Sequence, residues 1–475
     1  MVFSSYLFVF GFLPAFLVTY YLLRPRFRNA FILLASLTFY YIGDKNGIVA
    51  LIAAIVLNYA VGALMGGAEP EDPDRTRRRR RGLLVVGIVL NLAVLVWFKY
   101  IGLFTRTVDE LSSAIGLGEI VPVIEVALPL GISFFVFQGI SYLVDVYRGT
   151  IAPTRNFIVF GAYKSMFPQL IAGPIVRYRD VAEALDHRAV TDTMVFQGII
   201  RFVTGFAKKV LLADTFAVTA DAIFALPSDQ LSTSTTWLGV IAYTLQIYFD
   251  FSAYSDMAIG MAMMMGFRFP ENFNYPYISR SIREFWRRWH MTLSSWFRDY
   301  VYIPLGGSRA GKYRTYLNSL IVFMLTGLWH GAEWTFLVWG LWHGFFIVME
   351  RVLDIDNRRI PSFLRWAGTL GVVMVGWVLF RAESFGYATD LLAHMIGLGP
   401  SGAAVRPLGE FVNPWLVVTG VVAMVLSMPV YPWLKERLSP RTRLVLGWVV
   451  FSLLFVLAST KVLAGAYSPF LYFRF

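Results

Sequence analysis

Titratable side chains set inside apolar sequence are where this chain could do chemistry, and three segments carry them. The first is Tyr248-Phe-Asp250-Phe-Ser252-Ala-Tyr254-Ser255-Asp256-Met-Ala-Ile-Gly260, with two carboxylates six residues apart in an otherwise apolar run. An ionisable group inside a membrane span costs roughly 2.5–3.5 kcal/mol even on the most lenient scale, so it asks for a function or a partner. Six helical steps turn about 600° and set the two carboxylates on different faces. One acid/base dyad is therefore not expected, and hydrogen-bonded anchoring to neighbouring helices accounts for both. The second segment runs from Pro270-Glu-Asn-Phe-Asn274-Tyr-Pro-Tyr277 through Ser281-Ile-Arg-Glu-Phe-Trp286-Arg287-Arg288-Trp289-His290 to Trp296-Phe-Arg-Asp-Tyr300. It is basic, aromatic and amphipathic, which reads as an interfacial helix holding Arg280, Arg283, Arg287, Arg288 and Arg298 near the headgroups. That reading explains less well why a single imidazole, His290, follows Trp286 and Trp289.

The third segment is Leu325-Thr-Gly-Leu-Trp329-His330-Gly-Ala-Glu-Trp334, followed by Trp342-His343-Gly344. An imidazole deep in an apolar stretch can take and return a proton near neutral pH, as a general base must. A hydrogen-bonded core histidine fits the residue type equally well. Thirteen residues at 100° each put His343 about 140° around from His330 on a continuous helix, so the two are not expected to share a cavity. A packed structural role is expected of His343. Cysteine is absent, which excludes disulfides, thiolate ligands and a thiolate nucleophile, leaving oxygen or nitrogen for that work. Neither a G-x-S-x-G elbow nor an evident Ser/His/Asp set is present.

The elements that must position these groups are membrane helices. Of 475 residues, 57% are hydrophobic and 15% charged, against about 25% charged in a soluble domain. Apolar runs near 5–23, 30–42, 46–66, 82–104, 127–146, 157–175, 194–225, 236–266, 314–330, 333–352, 363–382, 412–431 and 443–463 predict spans. The 157–175 run is broken by Pro168 and Pro174, a pattern tolerated at membrane depth inside protein or along a cavity. The formal charge of +12 sits mostly in short loops, as the rule that retains Lys and Arg in the cytoplasm requires, and no basic face remains for nucleic acid. The run Arg75 to Arg81 predicts a cytoplasmic loop, and Lys435, Arg437, Arg441 and Arg443 predict another. The last span then runs outward and leaves the tail, Phe470-Leu-Tyr472-Phe-Arg-Phe475, outside. No internal repeat is visible, which weakens a transporter reading.

The runs Tyr248–Gly260 and Glu284-Phe-Trp-Arg-Arg-Trp-His290, together with Gly327-Leu-Trp-His330-Gly-Ala, resemble the diagnostic segments of the membrane-bound O-acyltransferase superfamily. The nearest branch is the alginate O-acetyltransferase membrane subunits, and the likeness extends from Met1-Val-Phe-Ser-Ser5 through Leu128-Pro-Leu-Gly-Ile-Ser-Phe134 and Leu170-Ile-Ala-Gly-Pro174 to beyond His343. The resemblance implies an all-α fold, a ring of tilted transmembrane and re-entrant helices around a central tunnel. One integral-membrane domain is expected over 1–475, with its motif core at about 236–352. In the family the Trp-His-Gly histidine is catalytic, which is His330 here, and the second family histidine matches His290. Trp329, Trp289, Asp250, Asp256, Asn274 and Arg287 are the further candidates for lining the tunnel. No bound cofactor or metal is expected. Acetyl-CoA is the expected donor, an extracytoplasmic polysaccharide the indirect acceptor, and a periplasmic serine-esterase-like (SGNH-like) transferase the expected partner, in a protein of the bacterial inner membrane surrounded by lipid. The aromatic tail is similar to a signature of related acyl-export systems, in which the tyrosine holds the acyl group as an ester, so Tyr472 is the candidate carrier. An aromatic tail also anchors at interfaces with no such role. Direct acetylation of a glycan without the tail, and a non-catalytic transporter, are the alternatives.

Overall fold

The computed structural model describes residues 2–66, 73–118, 120–355, 358–400, 402 and 405–465. Among these the chain is helical, with no strand and one isolated bridge between Leu231 and Arg406. Four helices are long and apolar enough to cross a membrane: Gly47–Met65, Asp74–Ala114, Ser362–Arg381 and Pro440–Leu463. A fifth candidate is the pair Pro414–Leu426 and Val430–Arg437, bent by 68° at its break. The chain packs into two compact units, Met1–Ile199 with Ala258–Pro270 and Ile200–Met257 with Glu271–Phe475.

In the first unit, polar groups staple apolar helices together. Asn58 on Gly47–Met65 and Asn91 on Pro73–Leu95 exchange amide hydrogen bonds of 3.1 and 3.0 Å in the interior. Each amide also donates to its own helix four residues back, so the four N–H donors and two amide oxygens of the pair are all matched. The Lys164 ammonium is wholly buried and donates to the Phe135 carbonyl. Two expectations are corrected here. The Arg75–Arg81 run is the first two turns of the Pro73–Leu95 helix, not a loop, because arginine is a good helix former and proline suits a helix start. The 157–175 run is two short helices, Phe157–Ser165 and Phe167–Leu170. Nine residues rise about 14 Å, half a hydrocarbon core, so this run is not a crossing.

The second unit holds both carboxylates and the three histidines singled out above. Thr233–Met264, 32 residues and about 48 Å long, carries Asp250 and Asp256. The interfacial-helix expectation resolves into two seven-residue helices, Ile282–Arg288 and Met291–Phe297, with Trp289 and His290 buried between them. Lys312–His330 and Trp334–Val352 form an antiparallel hairpin. Its arms touch backbone to backbone: a Cβ on Gly327 would come to 2.2 Å of the Phe336 carbonyl, and one on Gly340 to 2.3 Å of the Phe323 carbonyl. Small residues allow such approach where lipid supplies no hydrophobic force between helices. The final helix, Pro440–Leu463, has only 6% of its apolar window buried among the described residues. Arg437 ends the preceding helix and Arg441 and Arg443 begin this one, which puts the expected basic loop at a break of two residues.

Candidate active site

His330 closes the Lys312–His330 helix, and the backbone turns extended at Gly331 before Trp334 opens the return arm. The hairpin therefore delivers the imidazole into the interior, where it is 5% exposed. Three aromatic rings stand nearly perpendicular to it: Trp329 at 4.8 Å and 79°, Trp339 at 5.0 Å and 87°, and Phe380 at 5.2 Å and 78°. Perpendicular pairs set a ring edge against a π face, the favoured aromatic geometry.

His290 sits one ring away. Trp329 lies between the two histidines, 4.8 Å from His330 and 5.9 Å from His290. His290 has φ 42°, a left-handed backbone that costs energy for a residue with a Cβ and that persists where its surroundings enforce it. Asn272 enforces it. Its carbonyl accepts the Met291 N–H, and its side-chain Oδ1 accepts the Thr292 N–H at 3.3 Å and the Thr292 hydroxyl at 2.8 Å. The same Oδ1 lies 3.0 Å from His290 Nδ1. A backbone N–H only donates, so Oδ1 is an acceptor and Nδ1 carries the proton, which leaves the Nε2 lone pair as the basic site. Asn272 Nδ2 donates to Ser255 Oγ at 3.1 Å, tying the loop to the Thr233–Met264 helix. Burial pushes the His290 pKa far below the usual imidazole range, so it stays neutral.

His343 joins the same cluster. Because the chain reverses between His330 and Trp334, the two histidines are on opposite arms of a hairpin and the continuous-helix angle does not apply. Both contact Trp339, His330 at 5.0 Å and His343 at 5.2 Å. The continuous-helix premise is thereby corrected, and the two imidazoles pack against one indole.

The carboxylates pair with cations of the preceding helix. Lys208–Ala213 is a π-helical turn, a wide turn that presents Lys208 and Lys209 side by side. Lys209 lies 2.6 Å from Asp214 and 2.9 Å from Asp250, all three buried. Lys208 and Arg201 each reach Asp256 at 2.7 Å, and Arg201 also reaches Glu271 at 2.6 Å. Of the other candidates, Trp289 is buried against Trp377 at 4.8 Å and Phe285 at 5.6 Å. Arg287 is exposed, and Asn274 is exposed and bonded through its backbone to Arg288. Tyr472 lies outside the described residues. Two residues the sequence did not single out position the site. Asn272 holds His290, and the buried Glu350 accepts the Ile282 and Arg283 N–H groups, capping the helix that carries Trp286. Among the described residues no group of three or more His, Asp or Glu is arranged to hold a metal.

The family model of membrane-bound O-acyltransferases matches residues 151–381, which contain His290, His330, His343 and both carboxylates. A Pseudomonas putida protein named "Probable alginate O-acetylase AlgI" is 42% identical over 100% of this chain and 100% of its own. This chain belongs to the membrane-bound O-acyltransferase family. As a family member it is an all-helical, multi-pass membrane protein and an O-acyltransferase. It is also similar to the peptidoglycan O-acetyltransferase of Helicobacter pylori, 33% identical over 87% of this chain and 83% of the relative. The teichoic acid D-alanyltransferase of Bacillus subtilis is 31% identical over 54% of this chain and 69% of its own length.

Proposed function

We propose that this O-acyltransferase takes acetyl from cytoplasmic acetyl-CoA and passes it across the bacterial inner membrane for O-acetylation of an extracytoplasmic polysaccharide, with His330 as the base. The observation that carries the reading is the buried imidazole at the hairpin turn, walled by three aromatic rings and joined through Trp329 to the neutral, oriented His290. His330 takes the proton of an attacking hydroxyl, whose oxygen adds to the thioester carbon. The carbon–sulfur bond then breaks and the leaving thiolate takes the proton back from the imidazolium. The three relatives are named for an alginate O-acetylase, a peptidoglycan O-acetyltransferase and a teichoic acid D-alanyltransferase, which supports an envelope polymer as the end acceptor.

The first acceptor in this reading is the Tyr472 phenol, outside the membrane, which hands acetyl to a periplasmic transferase of the serine-esterase type. Intact mass of the purified protein after incubation with acetyl-CoA tests the relay. Wild type gains one acetyl group, and His330→Ala and Tyr472→Phe do not. Donor hydrolysis without any mass gain would leave His330 as base and remove the tail from the pathway.

A further inference from the structure

Beside His330 lies a second group of buried nitrogens that the proposed proton transfer does not use. Both ring nitrogens of His343 and the indole nitrogens of Trp286 and Trp339 are shut off from solvent and find no hydrogen-bonding partner among the described residues. The three rings form a closed triangle, with centroids 5.2 Å apart for Trp286 and His343, 5.2 Å for Trp339 and His343, and 5.7 Å for Trp286 and Trp339. His343 and Trp339 are 0% exposed and Trp286 is 6% exposed. Phe285 stacks on the far side of His343 at 6.4 Å and 8°. Interiors meet buried polar groups with protein, water or ligand, so this many unmet nitrogens in one place call for a guest. An indole N–H only donates, and a neutral imidazole donates from one nitrogen, so the guest is an acceptor. Gly376 marks where two of the nitrogens converge: a Cβ there would lie 2.7 Å from His343 Nε2 and 3.5 Å from Trp339 Nε1. A Cβ at 376 would therefore crowd the His343 nitrogen and only touch the Trp339 indole.

Resting on the acyl transfer proposed at His330, we infer that Trp339 and His343, with Trp286, form an N–H donor pocket for one acceptor oxygen, the acyl carbonyl of the bound donor. Trp339 is the shared wall, touching His330 with the same ring that touches His343. A carbonyl carbon attacked by the hydroxyl that His330 deprotonates lies within about a ring's width of that indole. On attack the carbonyl π pair moves to its oxygen and the hydroxyl proton to His330. On collapse the double bond re-forms, the carbon–sulfur bond breaks and the thiolate takes the proton. Negative charge rests on the oxygen between those steps, and fixed N–H donors bind it more tightly there than in the ground state. A trapped water would offer the same acceptor chemistry.

Trp339→Phe keeps the ring against His330 and removes its N–H. His343→Leu removes the imidazole, and His343→Gln restores an N–H. Acetyl transfer from acetyl-CoA and thermal unfolding in detergent are measured on each. The pocket predicts that kcat falls roughly 10²-fold in Trp339→Phe and His343→Leu with KM changed by less than about threefold and the unfolding temperature of the donor-free protein unmoved or raised. His343→Gln recovers about tenfold of the loss. Unchanged kcat with a lowered unfolding temperature would overturn the carbonyl and assign a water. Unchanged kcat with a raised unfolding temperature would overturn the pocket altogether, since removing unmet polar atoms stabilises. Retained transfer in His330→Ala would instead fail the proposed function, whereas an inactive His330→Ala beside an active Trp339→Phe fails only the pocket.

Discussion

The charged belt around Lys209 and the imidazole cluster around Trp339 bury polar groups in opposite ways. In the belt every charge faces an opposite one: Lys209 sits between Asp214 and Asp250, and Arg201 and Lys208 share Asp256. Lys461 of the final helix donates to the Val210 carbonyl at 2.7 Å and to Thr215 Oγ1 at 3.1 Å, fastening that helix to the same turn. In the cluster, imidazoles are walled by aromatic rings, and the side-chain bond from His290 Nδ1 to Asn272 fixes a tautomer instead of cancelling a charge. The belt is built for holding helices together. The cluster, in the function proposed here, keeps its proton acceptor dry.

If that division is right, the largest stability effect belongs to the belt. Asp250→Ala takes from the buried Lys209 one of its two carboxylates and lowers stability by about 3–5 kcal/mol, read as a drop in unfolding temperature in detergent. Within the cluster, Asn272→Ala removes the acceptor shared by His290 and Thr292 and costs about 1–3 kcal/mol, with transfer slowed because the His290 tautomer is no longer fixed. The pH dependence of stability sharpens the contrast. His290 lies between helices too short to cross a membrane, and burial holds its pKa near about 3 against an ordinary 6.5. The unfolded chain therefore gains a proton below about pH 6.5 that the folded chain refuses, and stability falls by roughly 1.4 kcal/mol per pH unit from there down towards pH 3. His290→Asn, which tolerates the left-handed backbone, removes that component. The smallest effect is expected for Asp256→Asn, whose partners Arg201 and Lys208 are 34% and 26% exposed in their side chains. It costs about 1 kcal/mol or less and diminishes with salt. A loss at Asp256 as large as at Asp250 would break the picture of a belt graded by burial.

Much of this was legible in the residues. Hydropathy located most helices within a few residues, although the 157–175 and 194–225 runs are several shorter helices, and both carboxylates and the three histidines of the polar segments lie in one compact unit. The six-residue spacing of Asp250 and Asp256 correctly separates them onto different partners. What escaped was set by turns. Asn272 reaches His290 because the backbone doubles back through a left-handed residue, and no periodicity announces such a contact across eighteen positions. His330 meets Trp339 because Gly331 to Glu333 reverses the chain, and helical arithmetic fails across a reversal. The Arg75–Arg81 run was read by charge as a loop, whereas arginine propensity and Pro73 start the helix earlier.

The most direct test of the account is the rate of acetyl transfer from acetyl-CoA by purified His330→Ala beside its unfolding temperature. The account predicts a rate lowered roughly 10²–10⁴-fold, the range of general acid/base catalysis, in a protein that unfolds within about 2 °C of wild type. Transfer at the wild-type rate in a folded His330→Ala protein would contradict it.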